Sequence, residues 1–104
     1  MAQRDISGTL IDFDDDGYMT SSESWSPKIA EALATEEGIQ VTDRHFTVLE
    51  FMRKDFEEKG AVPSIRRLGK FSGVAIKELY QLFPGGPAKK AARIAGLTKP
   101  QGCV

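Results

Sequence analysis

Hydrophobic positions recur along this chain at two different spacings. Two short β-prone runs, Thr9-Leu10-Ile11-Asp12-Phe13 and Tyr18-Met19-Thr20, flank an Asp-rich turn ending in Asp16-Gly17. That pattern predicts a β-hairpin over about residues 9–20. From residue 26 the spacing becomes helical. Pro27 suits a first helical turn, with Trp25 packing at its start and Ile29, Ala30 and Leu33 turned inward, and Gly38 stops the helix. Thr42 caps a longer helix in which Phe46, Leu49, Met52 and Phe56 recur, up to Lys59-Gly60. Pro63-Ser64 opens a short helix carrying Ile65, Leu68 and Phe71, and Ser72-Gly73 makes a tight turn. Ile76, Leu79, Tyr80 and Phe83 then mark one face of another helix. Pro84-Gly85-Gly86-Pro87 breaks it, and Pro87 starts a last helix that runs to roughly Ala95. Gly96 ends that helix, and residues 97–104 carry no amphipathic pattern. The prediction is a mainly α protein: a hairpin, a helical bundle over about residues 26–95, and a flexible C-terminal arm over 96–104.

The chain's 104 residues suit one domain. No stretch approaches the roughly 18 apolar residues of a membrane span, and the N-terminus lacks the apolar core of a signal peptide. A cytoplasmic monomer without membrane contact is expected. One cysteine forms no internal disulfide and no cysteine zinc site. The net charge of -1 hides an asymmetry. Residues 1–59 hold 6 basic and 14 acidic side chains, whereas residues 60–104 hold 8 basic ones and the single acid Glu78. Either the basic half meets an anionic partner, or the two halves attract each other within one fold.

Four features carry candidate chemistry. Asp12 to Glu23 fits the calcium-loop pattern of an EF-hand. Its lead-in, Gly8-Thr9-Leu10-Ile11, is β-prone where an EF-hand needs a helix, so an acidic hairpin turn is expected and no metal. Ser64 to Phe83 has the proportions of a helix-turn-helix, with Arg66, Arg67, Lys70 and Lys77 as candidate contacts to DNA or a partner. Val74 and Ala75 occupy the place where base-reading polar side chains belong. His45, the only histidine, is expected to be structural, solvated or partly buried, and Phe46, Phe51, Phe56, Phe71, Tyr80 and Phe83 are expected in the core. Cys103 is the sharpest feature. Gly102 and Pro100 favour an extended arm that presents its thiol, Lys99 and Arg93 favour the thiolate, and the Val104 carboxylate opposes it.

Those last residues carry a resemblance. The stretch from Phe83-Pro84-Gly85-Gly86-Pro87 through Arg93-Ile94-Ala95-Gly96-Leu97 to Lys99-Pro100-Gln101-Gly102-Cys103-Val104 closely resembles the C-terminal arm of the DsrC/TusE sulfur-carrier family, which includes the gamma protein of dissimilatory sulfite reductase. The Asp-Gly hairpin, Trp25, Gly60 with Pro63, and Leu79-Tyr80-Gln81-Leu82-Phe83-Pro84 extend the likeness over nearly the whole chain. The resemblance implies an orthogonal helical bundle with an N-terminal β-hairpin and a mobile arm. It also implies that Cys103 carries persulfide sulfur. Dissimilatory members add a second arm cysteine where this chain has Ala92, so the chain is similar to one-cysteine members. These include TusE-type proteins that relay sulfur toward tRNA thiolation, and paralogues with a regulatory role.

The expected function is therefore sulfur relay on Cys103, in tRNA thiolation or dissimilatory sulfur metabolism, as a carrier more than a stand-alone catalyst and with no cofactor. Expected partners are protein sulfur donors and acceptors of Tus or Dsr type, sulfite reductase among them. The alternative is a regulatory paralogue that binds DNA or docks on sulfite reductase.

Overall fold

The computed structural model describes residues 2–100. Gln101, Gly102, Cys103 and Val104, and with them the expected sulfur site, lie outside the described residues. Strand β1 (Ala2–Ile6) pairs antiparallel with β2 (Thr9–Phe13), from Ala2 opposite Phe13 to Ile6 opposite Thr9. A short 3-10 turn (Ser22–Ser24) leads to helices α1 (Pro27–Glu36), α2 (Asp43–Lys59), α3 (Ile65–Phe71), α4 (Ile76–Leu82) and α5 (Pro87–Ile94). The protein is mainly helical with an N-terminal hairpin.

That hairpin lies earlier than the 9–20 predicted. Its two-residue loop is Ser7-Gly8, both with positive φ (53° and 88°), the twist that matches a right-handed strand pair. Asp16-Gly17 lies in a second, longer loop, closed by an isolated bridge between Phe13 and Met19 and by the Asp14 N–H donating to Tyr18 O at 2.8 Å. There the Asp14 side chain accepts from the N–H groups of Asp16 and Tyr18, both at 2.9 Å, so this carboxylate is turned onto its own backbone. Among the described residues no group of His, Cys, Asp and Glu is placed to hold a metal, and no helix is long and apolar enough to cross a membrane.

Local signals explain the helix ends. Ser26 and Ser64 cap α1 and α3, their hydroxyls accepting from the N–H groups of Ile29 and Arg67. At the start of α2 the Thr42 N–H donates to His45 Nδ1 at 3.1 Å, which makes Nδ1 an acceptor. His45 Nε2–H then donates to the Leu82 carbonyl at 2.8 Å. The imidazole is 6% exposed, packs edge-on against Phe83, and ties α2 to the end of α4. Gly60, with φ 73°, ends α2 in the left-handed conformation that a side chain disfavours.

The core gathers Ile11, Phe13 and Met19 from the N-terminal region with Leu33, Leu49, Met52, Leu68, Leu79, Phe83 and Ile94 from the bundle. Each fully buried leucine contributes about 2 kcal/mol of apolar transfer free energy. Helix α5 is the hub, touching α1, α2 and α4. Its buried Ala88, Ala91 and Ala92 let those neighbours approach closely.

The expected aromatic core needs one correction. Phe83 is buried and Phe46, Phe51 and Phe56 pack against the core, but Phe71 is 54% and Tyr80 49% exposed. Helix α4 turns Leu79 inward and ends at Leu82, so Phe83 reaches the core from a non-helical residue (φ -127°, ψ 74°). Ile76 and Tyr80 are left on the rim. Ile76 lies against Gly69, where a Cβ would collide with it.

Part of the charge asymmetry is met inside the fold, through Arg67, Arg93 and Lys99. The pairs Arg67–Asp55, Arg93–Glu36, Arg93–Glu37, Lys99–Asp16 and Arg44–Glu78 each join the acidic half to the basic half. Glu78, the lone acid beyond residue 59, meets both Arg44 Nε (2.8 Å) and Nη2 (2.7 Å).

Candidate functional site: the root of the C-terminal segment

The arm expected from Gly96 onward is packed as far as Pro100. Leu97 is 1% exposed, and Gly96 and Pro100 are buried. Backbone hydrogen bonding explains this. Helix α5 ends in a Schellman motif: the Gly96 N–H donates to Arg93 O (3.1 Å) and the Leu97 N–H to Ala92 O (3.0 Å). Gly96 has φ 75°, and Leu97 folds back as the motif's apolar plug. Residues 96–100 thus form a partly packed platform, with Gly96, Leu97 and Pro100 buried and Thr98 and Lys99 exposed, from which the chain continues toward Cys103.

Two side chains from elsewhere close on this platform. Trp25 Nε1–H donates to Ile94 O at 2.8 Å, and Arg53 Nη1–H donates to Ala95 O at 2.7 Å. Neither contact is visible in the sequence pattern. Trp25 reads there as packing at the start of α1, and Arg53 as one charge among many on α2. A cavity of about 500 Å3 opens beside them, lined by Ser22, Glu23, Arg53, Lys54, Phe56, Glu57 and Leu97.

The two cations assigned to the thiolate occupy different settings. Lys99 is half-exposed, its Nζ 3.5 Å from Asp16 of the acidic turn. Arg93 is nearly buried and fully engaged: Nε donates to Gly17 O (2.8 Å), Nη1 to Glu37 (3.2 Å) and Nη2 to Glu36 (2.9 Å). Hydrogen bonds from Arg4 and from Arg93 hold the Glu36 carboxyl below the usual carboxylate range, against its partial burial. Beside Gly17, burial and then the charges of Asp16 and Asp14 push the Tyr18 phenol up. Ala92, where dissimilatory relatives are expected to carry a second cysteine, is buried, and its carbonyl is the one Leu97 caps.

The four cations assigned to DNA or a partner sit in different settings, although Arg67 and Lys70 both lie over the Phe71 ring. Arg67 makes a bidentate pair with the 5%-exposed carboxylate of Asp55 (2.9 and 2.7 Å) and lies over the Phe71 ring. Arg66, Lys70 and Lys77 are exposed. Val74, two residues before α4, is fully buried, and Ala75, just before the first residue of that helix, is exposed.

Comparison with known proteins agrees with this architecture over the whole length. The chain is 36% identical over 105 residues to the dissimilatory-type sulfite reductase subunit gamma of Nitratidesulfovibrio vulgaris, covering all of both chains. It is 41% identical over 107 residues to the sulfurtransferase TusE of Yersinia pseudotuberculosis, covering 96% of this chain and 99% of that one. The solution structure of Allochromatium vinosum DsrC superposes with a TM-score of 0.83 at 37% identity, covering 98% of this chain and 97% of that chain. A family model described as DsrC-like protein matches residues 5–104. The chain belongs to the DsrC-like family.

Proposed function

We propose that this protein relays sulfane sulfur on Cys103, its single thiol. The observation that carries the reading is the platform at residues 96–100, which roots the thiol-bearing segment on the central helix of the bundle. Relatives named sulfurtransferase TusE and sulfite reductase subunit gamma, matched along their full length, support it.

The chemistry is thiol–persulfide exchange. The Cys103 thiolate attacks the outer sulfur of a donor persulfide; the new S–S bond forms as the donor's S–S bond breaks, and the donor leaves as a thiolate. Cys103 then holds a persulfide, and attack by an acceptor thiolate on its outer sulfur reverses the step. No electrons enter or leave. The reacting form is the thiolate of Cys103, and the attack of a thiolate on a persulfide itself requires no general base. Lys99 is the cation we assign to the sulfur's charge, because its exposed contact with Asp16 is weakly held. Arg93 acts at a remove, clamping α5 to α1. With Ala92 in place of a second cysteine, no internal disulfide competes with loading.

Incubation with a protein persulfide donor, followed by intact-mass measurement, tests this. One added sulfur is expected, removed by mild reduction and absent from Cys103→Ser. Loading retained by Cys103→Ser sinks the reading.

A further inference from the structure

Each of the last carbonyls of α5 has a donor, and two donors come from far along the chain. Ala95, Leu97 and Gly96 satisfy Ala91 O, Ala92 O and Arg93 O. That leaves Ile94 O and Ala95 O, which the helix cannot satisfy itself. Trp25 takes the first from 69 residues away and Arg53 the second from 42 residues away. The two side chains also hold each other. The Arg53 guanidinium carbon sits 4.3 Å from the indole centroid, and its Nη2 donates to Ser22 O at 2.9 Å, just before Trp25. Gly96 completes the fit, since a Cβ there would stand 2.6 Å from Trp25 Cδ1. Burial draws the Arg53 pKa below that of a free arginine, with Glu57 opposing, so the guanidinium is held here against a desolvation cost.

A Schellman motif already ends α5, so the extra latch does more than stop a helix. We propose that Trp25 and Arg53 are positioning residues for sulfur transfer, fixing the direction in which the chain leaves α5 so that the Cys103 segment departs toward protein partners from a constant point. The inference rests on the sulfur-relay reading. Both residues act through the backbone at Ile94, Ala95 and Gly96. A protein donor's persulfide must meet the thiol within a narrow geometry, whereas a small reagent reaches it from any side. Misplacing the root therefore penalises only protein-to-protein transfer.

Trp25→Phe keeps the ring and removes the N–H; Arg53→Lys keeps the charge and loses the two-pronged grip. Three readouts are taken at a temperature where every variant is folded: sulfur transfer from a protein persulfide donor, Cys103 alkylation by iodoacetamide, and amide exchange at Gly96 and Leu97. We expect transfer to slow about tenfold, alkylation to stay unchanged, and exchange to rise at these two amides without a matching rise elsewhere in the core. Transfer at the wild-type rate in both variants overturns the inference while leaving the relay reading intact. Equal slowing of transfer and alkylation also overturns it, because the thiol itself would then have changed. Wild-type protein that accepts no sulfur overturns the relay reading, and this inference with it.

Discussion

Helices α1 and α5 end in the same way and are then treated differently. Both finish in a Schellman motif around a left-handed glycine, Gly38 with φ 76° and Gly96 with φ 75°. At α1 the N–H groups of Gly38 and Ile39 cap Thr35 O and Ala34 O, as those of Gly96 and Leu97 cap Arg93 O and Ala92 O at α5. Beyond that the ends part. A Cβ at Gly38 would meet nothing within 4 Å, whereas one at Gly96 would strike Trp25. No described side chain closes on Glu36 O or Glu37 O, while Trp25 and Arg53 close on Ile94 O and Ala95 O. The first end leads into an ordinary connection to α2, and the second leads to the only thiol. A motif sufficient to stop a helix is thus reinforced where the outgoing chain must be aimed.

The sharpest way to break this comparison is the same substitution at both glycines. Gly96→Ala combines left-handed strain with a collision and should cost about 3 kcal/mol or more. Gly38→Ala carries only the backbone strain and should cost about 1 kcal/mol. Equal urea midpoints for the two variants would remove the distinction.

Arg93 joins the two ends, reaching Glu36 and Glu37 from one turn before Gly96. Arg93→Met should lose about 2 kcal/mol, since it strands partly buried acceptors. It should also change the acid limb of stability. Because the Glu36 carboxyl is held below its unfolded value, its contribution is present above about pH 4.3 and lost as pH falls through the lower folded value. Urea midpoints measured from pH 6 down to pH 3 should fall less steeply in Arg93→Met than in the wild type.

Trp25→Phe removes one hydrogen bond and should cost about 1 kcal/mol, visible as a modest drop in melting temperature. Lys99→Ala breaks a half-exposed pair and should change stability by less than about 0.5 kcal/mol. A larger loss on thermal melting would show that Lys99 anchors the platform, which our assignment of Lys99 to the sulfur does not allow.

Much of the fold was legible in sequence because its helix boundaries are local chemistry. Pro27 and Pro87 open helices, and Gly38, Gly60 and Gly96 follow their ends, so a few residues carry each signal. Long-range placement was not legible. Helical spacing put Ile76 and Tyr80 with Leu79, but a seven-residue helix wedged beside Gly69 buries only Leu79. The Ser7-Gly8 turn is hard to read from sequence because serine is an unusual occupant of a left-handed position, and Asp16-Gly17 carries the stronger local signal. At the candidate site, Cys103 and Lys99 stand out by residue type. The latch does not, because nothing near Trp25 or Arg53 in sequence announces a carbonyl dozens of residues away.

A carrier must release sulfur as well as accept it, and exchange between thiolate and persulfide is reversible. The most direct measurement takes protein loaded on Cys103, separates it from its donor, mixes it with fresh sulfur-free donor, and follows both intact masses. A relay predicts that sulfur leaves this protein and appears on the donor. Sulfur that stays on Cys103 would contradict it, showing an end point of sulfur transfer where a carrier is required.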